Sequence, residues 1–166
     1  HIKLAGIKAI NEGYSHYSPV PGYPELRKAI CDKLKRDNGL EYTPDQIVVS
    51  TGAKQSLINV VLSIVNPGDE VIVPSPYWVS YAAMVQLADA TMVNIPTSIE
   101  TEFKFSAAQL EKAITPKTRM IIYSSPCNPT GTVFNKADLE SYAKVLAKYP
   151  NVYIVSDEIY EYINYG

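Results

Sequence analysis

The sequence predicts an α/β protein built on a mostly parallel sheet, and three observations carry that prediction. Short apolar runs alternate with helical segments of roughly ten to thirteen residues, the rhythm of right-handed strand–helix–strand crossovers. The run at 152–155 (Val-Tyr-Ile-Val) shows no polar alternation, as expected of a strand buried on both faces. Four of the expected strands are each followed by a loop of atypical residues, and ligands of open parallel sheets sit beyond the carboxyl ends of the strands.

In chain order, residues 2–11 read as a helix with Ile2, Ala5 and Ala9 on one side, and 13–22 as a loop of tyrosine, serine and proline. Pro24 suits a first-turn position, Leu26, Ala29, Ile30 and Leu34 repeat at helical spacing, and Asn38-Gly39 stops that helix. Residues 47–50 are expected to form a strand, and 53–64 a helix closed by Asn66-Pro67-Gly68. Strands are expected at 70–73, 91–95, 119–123 and 152–155, with a helix at 78–87. Ser106 and Gln109 form a capping box for a helix ending near Ile114, and Asn135 caps another with Asp138 in its first turn. Residues 1–40 read as an arm or lobe leading into a sheet domain over 41–166. His1 and Tyr165-Gly166 read as cut ends of a longer protein.

Composition narrows the function classes. A net charge of -2 and pI near 5.7 give no basic surface for nucleic acid. The apolar runs are too short to span a membrane, and the opening residues carry no signal-peptide pattern. Cys31 and Cys127 are isolated, and the two histidines are His1 and His16, so no metal site is expected and a reduced, cytoplasmic setting is.

Four loops carry candidate chemistry. In Ser50-Thr51-Gly52-Ala53-Lys54-Gln55 a glycine turns the chain into a helix, so the amides of Ala53 and Lys54 can hold a phosphate; the same pattern also serves as a plain turn. It is neither the Walker loop nor the dinucleotide fingerprint. Trp78, in Ser75-Pro76-Tyr77-Trp78, lies where a planar ligand would sit, or simply covers the sheet edge. Asn128, in Asn128-Pro129-Thr130-Gly131, offers a donor and an acceptor at a fixed turn. Asp157, in Ser156-Asp157-Glu158, could pair with a ring nitrogen, a ribose hydroxyl or a metal, or only reach solvent. Gly52, Trp78, Asn128 and Asp157 are expected around one cavity.

Taken in order, YSPVPGYPELR, STGAKQ, GDEVIVPSPYWVSY, SPCNPTG and VSDEIY resemble the class I/II aminotransferases, fold-type I enzymes dependent on pyridoxal phosphate. The similarity is strongest to the bacterial and plastid-like aspartate aminotransferases, and it spans essentially the whole chain as the central part of a longer protein. It implies a three-layer α/β/α arrangement, the incomplete large domain of such an enzyme. By this resemblance Gly52, Ala53 and Lys54 hold the cofactor phosphate, Trp78 stacks on the pyridine ring and Asp157 pairs with its nitrogen. Asn128 and Tyr160 approach the phenolic oxygen, and Tyr17 reaches the phosphate of a partner subunit. Lys54, Trp78 and Asn128 also contact substrate, Lys54 at the distal carboxylate of an acidic one. The implied reaction moves an amino group between aspartate and 2-oxoglutarate, in a homodimer.

The family's Schiff-base lysine and its α-carboxylate arginine fall outside the chain, so residues 1–166 are expected to hold no catalytic lysine and to be inactive alone. The same resemblance leads us to expect cis peptides at Ser75-Pro76 and Asn128-Pro129. The alternatives are another amino-acid specificity, a lyase on the same scaffold, a folded module without cofactor, or a nucleotide-binding domain using the 50–55 turn.

Overall fold

The computed structural model describes residues 1–165, which divide into two compact units, one His1–Gly52 and the other from Ala53 onward. In the first unit α1 (Ile2–Asn11) and α2 (Pro24–Asn38) form where periodicity and caps place them. Pro24 opens α2, and Gly39 closes it in the left-handed conformation, its amide bonded to the Lys35 carbonyl and that of Leu40 to Leu34.

The strand expected at 47–50 is absent. Ile47 is extended, with φ -111° and ψ 129°, but a strand also needs a ladder of backbone partners. Here the Val49 amide bonds the Pro21 carbonyl at 3.0 Å without a ladder forming, and Val48 is exposed. That approach requires glycine at position 22, where φ is +96° and an added Cβ would lie 2.7 Å from the Val49 Cβ.

The second unit alternates α3 (Ala53–Ile64), β1 (Glu70–Ser75), α4 (Ser80–Leu87), β2 (Thr91–Pro96), α5 (Ala107–Ala113), β3 (Thr118–Ser124), α6 (Lys136–Leu146) and β4 (Tyr153–Asp157). The four strands form one sheet in the order β2-β1-β3-β4, and every adjacent pair is parallel. Strand pleating sends alternate side chains to opposite faces. Val71, Val73, Met120 and Ile122 pack on one face with Leu57 and Val61 of α3 and Tyr81, Met84 and Val85 of α4. Ile72 and Ile121 face the other way, onto Leu110 of α5 and Tyr142, Val145 and Leu146 of α6. The result is the expected α/β/α sandwich. Each fully buried aliphatic side chain at its centre contributes about 1.5–3 kcal/mol.

Two expectations need correction. The helix after β1 starts at Ser80 rather than Trp78, which leaves Trp78 in the loop, where its carbonyl accepts from the Tyr81 amide at 3.0 Å. β4 is not buried on both faces: it lies at the sheet edge with one neighbour, so Tyr153 and Ile154 are exposed and Val155 only partly covered. Ser75-Pro76 and Asn128-Pro129 are cis as expected, and Ser125-Pro126 is cis as well. The capping boxes form as read, with the Gln109 amide bonding Ser106 Oγ at 3.2 Å and the Asp138 amide bonding Asn135 Oδ1 at 2.9 Å.

The second core contains a buried hydroxyl with a measurable consequence. Tyr142 Oη donates to the Phe105 carbonyl at 2.6 Å while its ring stacks on Phe105 at 4.1 Å. Burial, helped by the nearby Asp138 charge, pushes this phenol well above its ordinary value. The folded state therefore keeps the proton where the unfolded chain releases it, so stability is intact below about pH 10 and falls as pH rises beyond that. Tyr142→Phe is expected to lower stability by about 1 kcal/mol near neutrality and to flatten the alkaline decline. Urea titrations of both forms at neutral and alkaline pH check this, and an unchanged alkaline slope would contradict it.

Candidate active site

The sheet order places a topological switch between β1 and β3, because the chain leaves β1 toward β2 on one side and returns as β3 on the other. A crevice forms outside the carboxyl ends of strands at such a point. The loops after β1 and β3 meet there, with Cys127 Sγ 3.7 Å from the Pro76 carbonyl. β4 ends beside them, since Ser124 and Asp157 are register partners and the Ser125 amide donates to the Asp157 carbonyl at 3.3 Å.

Asp157 is the centre of one group. Its side chain is buried, with Oδ2 accepting from Tyr81 Oη at 2.6 Å and Oδ1 from the Ile159 amide at 3.2 Å. Among the described residues no lysine or arginine forms an ion pair with it. Tyr81 stands edge-on to Trp78 at 5.6 Å and 90°, and Lys54 Nζ lies 5.0 Å from the Trp78 ring centre. Lys54 and Ala53 open α3, where first-turn amides have no intrahelical acceptor. Burial, and then the hydrogen bond to Asp157, push the Tyr81 phenol far above its ordinary value, so it stays protonated and donates.

Asn128 and Tyr160 form a second group. Asn128 Nδ2 lies 3.4 Å from Tyr160 Oη, and both line a cavity of about 600 Å³ together with Cys127 and Gly131. Trp78, Lys54 and Asp157 are not among the residues that line this cavity; they lie with Tyr81 in the first group. Gly52 has φ +84° in the turn that precedes α3, and Tyr17 is fully exposed in the 12–23 loop; both belong to the first unit. No cluster of His, Cys, Asp and Glu among the described residues could hold a metal, and no described helix is long and apolar enough to cross a membrane.

The sequence reading missed Tyr81. It reads as a core position of α4, where it is indeed buried, but its spacing of three from Trp78 carries a signal. Tyr81 sits in the first turn of α4, directly after the loop that holds the tryptophan, so its ring can pack against the indole while its hydroxyl reaches a polar partner.

The α/β sandwich thus carries at its switch-point edge a buried carboxylate with no cationic partner among the described residues, near an indole and the start of a helix. The family of class I and II aminotransferases matches residues 1–166, and the chain belongs to it. It is 54% identical over 162 residues to the bifunctional aspartate aminotransferase and glutamate/aspartate-prephenate aminotransferase of Petunia hybrida, covering 98% of this chain and 34% of that protein. It is 50% identical over 163 residues to the aspartate/prephenate aminotransferase of Cereibacter sphaeroides, covering 98% of this chain and 41% of that one. The aspartate aminotransferase of Rhizobium meliloti superposes with a TM-score of 0.97 at 43% identity, over 100% of this chain and 42% of its own. That of Thermus thermophilus with maleate gives 0.96 at 44%, over 100% and 43%. The chain thus spans less than half the length of these relatives.

Proposed function

We propose that these residues belong to a pyridoxal-phosphate-dependent aminotransferase that moves an amino group between aspartate and 2-oxoglutarate. The observation that carries this reading is Asp157: a buried carboxylate that accepts from two neutral donors and has no cationic partner among the described residues. A buried carboxylate is costly without a compensating charge, and its unused lone pairs suit a protonated ring nitrogen. The surroundings fit the rest of such a group. Trp78 offers an aromatic face, the first turn of α3 offers amides of Ala53 and Lys54 to a phosphate, and the Asn128 amide and Tyr160 hydroxyl offer donors to a phenolic oxygen.

When bound, pyridoxal phosphate supplies an electron-withdrawing ring for carbanion chemistry at the amino-acid Cα. The chain's own residues bind and orient. Asp157 holds a proton on the ring nitrogen, Trp78 fixes the ring plane, and Asn128 with Tyr160 stabilises charge at the ring's edge. Gly52 shapes the turn into α3, and Tyr17 serves the phosphate of a partner subunit in a homodimer. The base that moves the Cα proton lies outside residues 1–166, which alone do not turn over.

Aspartate is favoured over other amino acids because Lys54 sets a cation beside Trp78, suited to a side-chain carboxylate. The relatives from Petunia hybrida and Cereibacter sphaeroides carry aspartate and prephenate in their names, which supports an acidic substrate. In the complete enzyme containing this segment, Lys54→Ala is expected to raise KM for aspartate about tenfold or more. Steady-state assays with aspartate and with alanine, each with 2-oxoglutarate, check this. Equal rises for both would remove Lys54 from side-chain recognition, and no transamination of any amino acid by the unmodified enzyme would sink the reading itself.

A further inference from the structure

Both oxygens of Asp157 are held, by groups of different kinds. Oδ1 takes a backbone amide, from Ile159 in the turn that follows β4. Oδ2 takes a side-chain hydroxyl, from Tyr81, a residue 76 positions away on the helix that follows β1. The plane of an aspartate carboxylate turns about the Cβ–Cγ bond, and donors on both oxygens fix it. We propose that Tyr81 is a positioning residue for the cofactor site: its hydroxyl holds the Asp157 carboxylate in the orientation that receives a protonated ring nitrogen. The inference rests on the cofactor reading above.

Three further observations support it. Tyr81 is 1% exposed and packs in the core with Val73, Met84 and Val85, so its ring is fixed by the same cluster that seats β1 and α4. Its ring also carries Trp78 on edge, so one side chain sets both the indole and the carboxylate. Such a link transmits position, since packed cores yield little to a displacement. Its phenol stays protonated because it is buried and bonded to Asp157, so the donor does not switch off over the working pH range.

Ser124 completes the surroundings. It is buried, is the register partner of Asp157, and lines with Tyr81 a cavity of about 20 Å³. Its hydroxyl lies beside the Tyr81 phenol, where it acts against the rise in that phenol's pKa but is outweighed by burial and Asp157. Tyr81 Oη spends its one proton on Asp157 and keeps acceptor capacity on the side of this cavity.

The test compares two ligands that differ only at the ring nitrogen: pyridoxal phosphate and its 1-deaza analogue, in which that nitrogen is a C–H. Dissociation constants are measured for the complete enzyme and its Tyr81→Phe variant. The variant is expected to bind pyridoxal phosphate about tenfold more weakly and the deaza analogue as well as the unmodified enzyme does. Equal losses for both ligands, or no loss for either, overturn the proposal. If Tyr81→Phe does not fold, 3-fluorotyrosine at position 81 keeps the packing. Its 19F resonance is then expected to move when pyridoxal phosphate binds and to stay when the analogue binds; equal movement overturns the proposal. An unmodified enzyme that binds no pyridoxal phosphate overturns the cofactor reading, and the proposal with it.

Discussion

Asp157→Asn in the complete enzyme is expected to lower kcat for aspartate about 10²–10³-fold, the cost of losing one preorganised electrostatic partner at the reacting group. The substitution is nearly isosteric and its amide oxygen can still accept from the Tyr81 hydroxyl, which now meets Oδ2 at 2.6 Å, while the bond from the Ile159 amide to Oδ1 is lost at a cost of about 1 kcal/mol. The fold should therefore survive, and a thermal melt close to that of the unmodified enzyme is part of the expected result. What changes is the charge. The amide would offer a donor where the carboxylate offers an acceptor, so position 157 would no longer hold a proton on a ring nitrogen facing it. A variant with unmodified kcat would show that Asp157 is a structural carboxylate.

Residues 1–166 alone, supplied with ample pyridoxal phosphate, are expected to show no transamination above that of the free cofactor. Moving the Cα proton needs a base placed within hydrogen-bond reach, and placement rather than the mere presence of an amine sets the rate. Lys54 is the lysine beside Trp78, with its amine 5.0 Å from that ring centre at the start of α3. The comparison is between this segment and its Lys54→Ala form, each with aspartate and 2-oxoglutarate. Activity above the free cofactor that disappears in the variant would contradict the assignment and make Lys54 a base.

Most of the second unit was legible in the sequence because its signals are local. The Ser106–Gln109 and Asn135–Asp138 pairs fix helix starts within a few residues, and both form as read. What was not legible depends on distant partners. The run at 152–155 looks the same whether its strand has two neighbours or one, and its place at the edge emerges only from the order β2-β1-β3-β4. Residues 47–50 have strand-like side chains, but only ladder partners make a strand. The site shows the same division. Trp78, Asn128 and Asp157 stood out because each follows a strand, whereas Tyr81 was hidden by its own burial, which marks a core residue and a positioning residue alike.

The most direct measurement of the cofactor site is the 15N resonance of pyridoxal phosphate labelled in its ring nitrogen and bound to the complete enzyme at neutral pH. With Asp157 facing that nitrogen, the unmodified enzyme should show a protonated pyridine, and Asp157→Asn should shift the resonance to that of the neutral ring. The same resonance in both proteins would mean that the buried carboxylate at the end of β4 does not meet the cofactor.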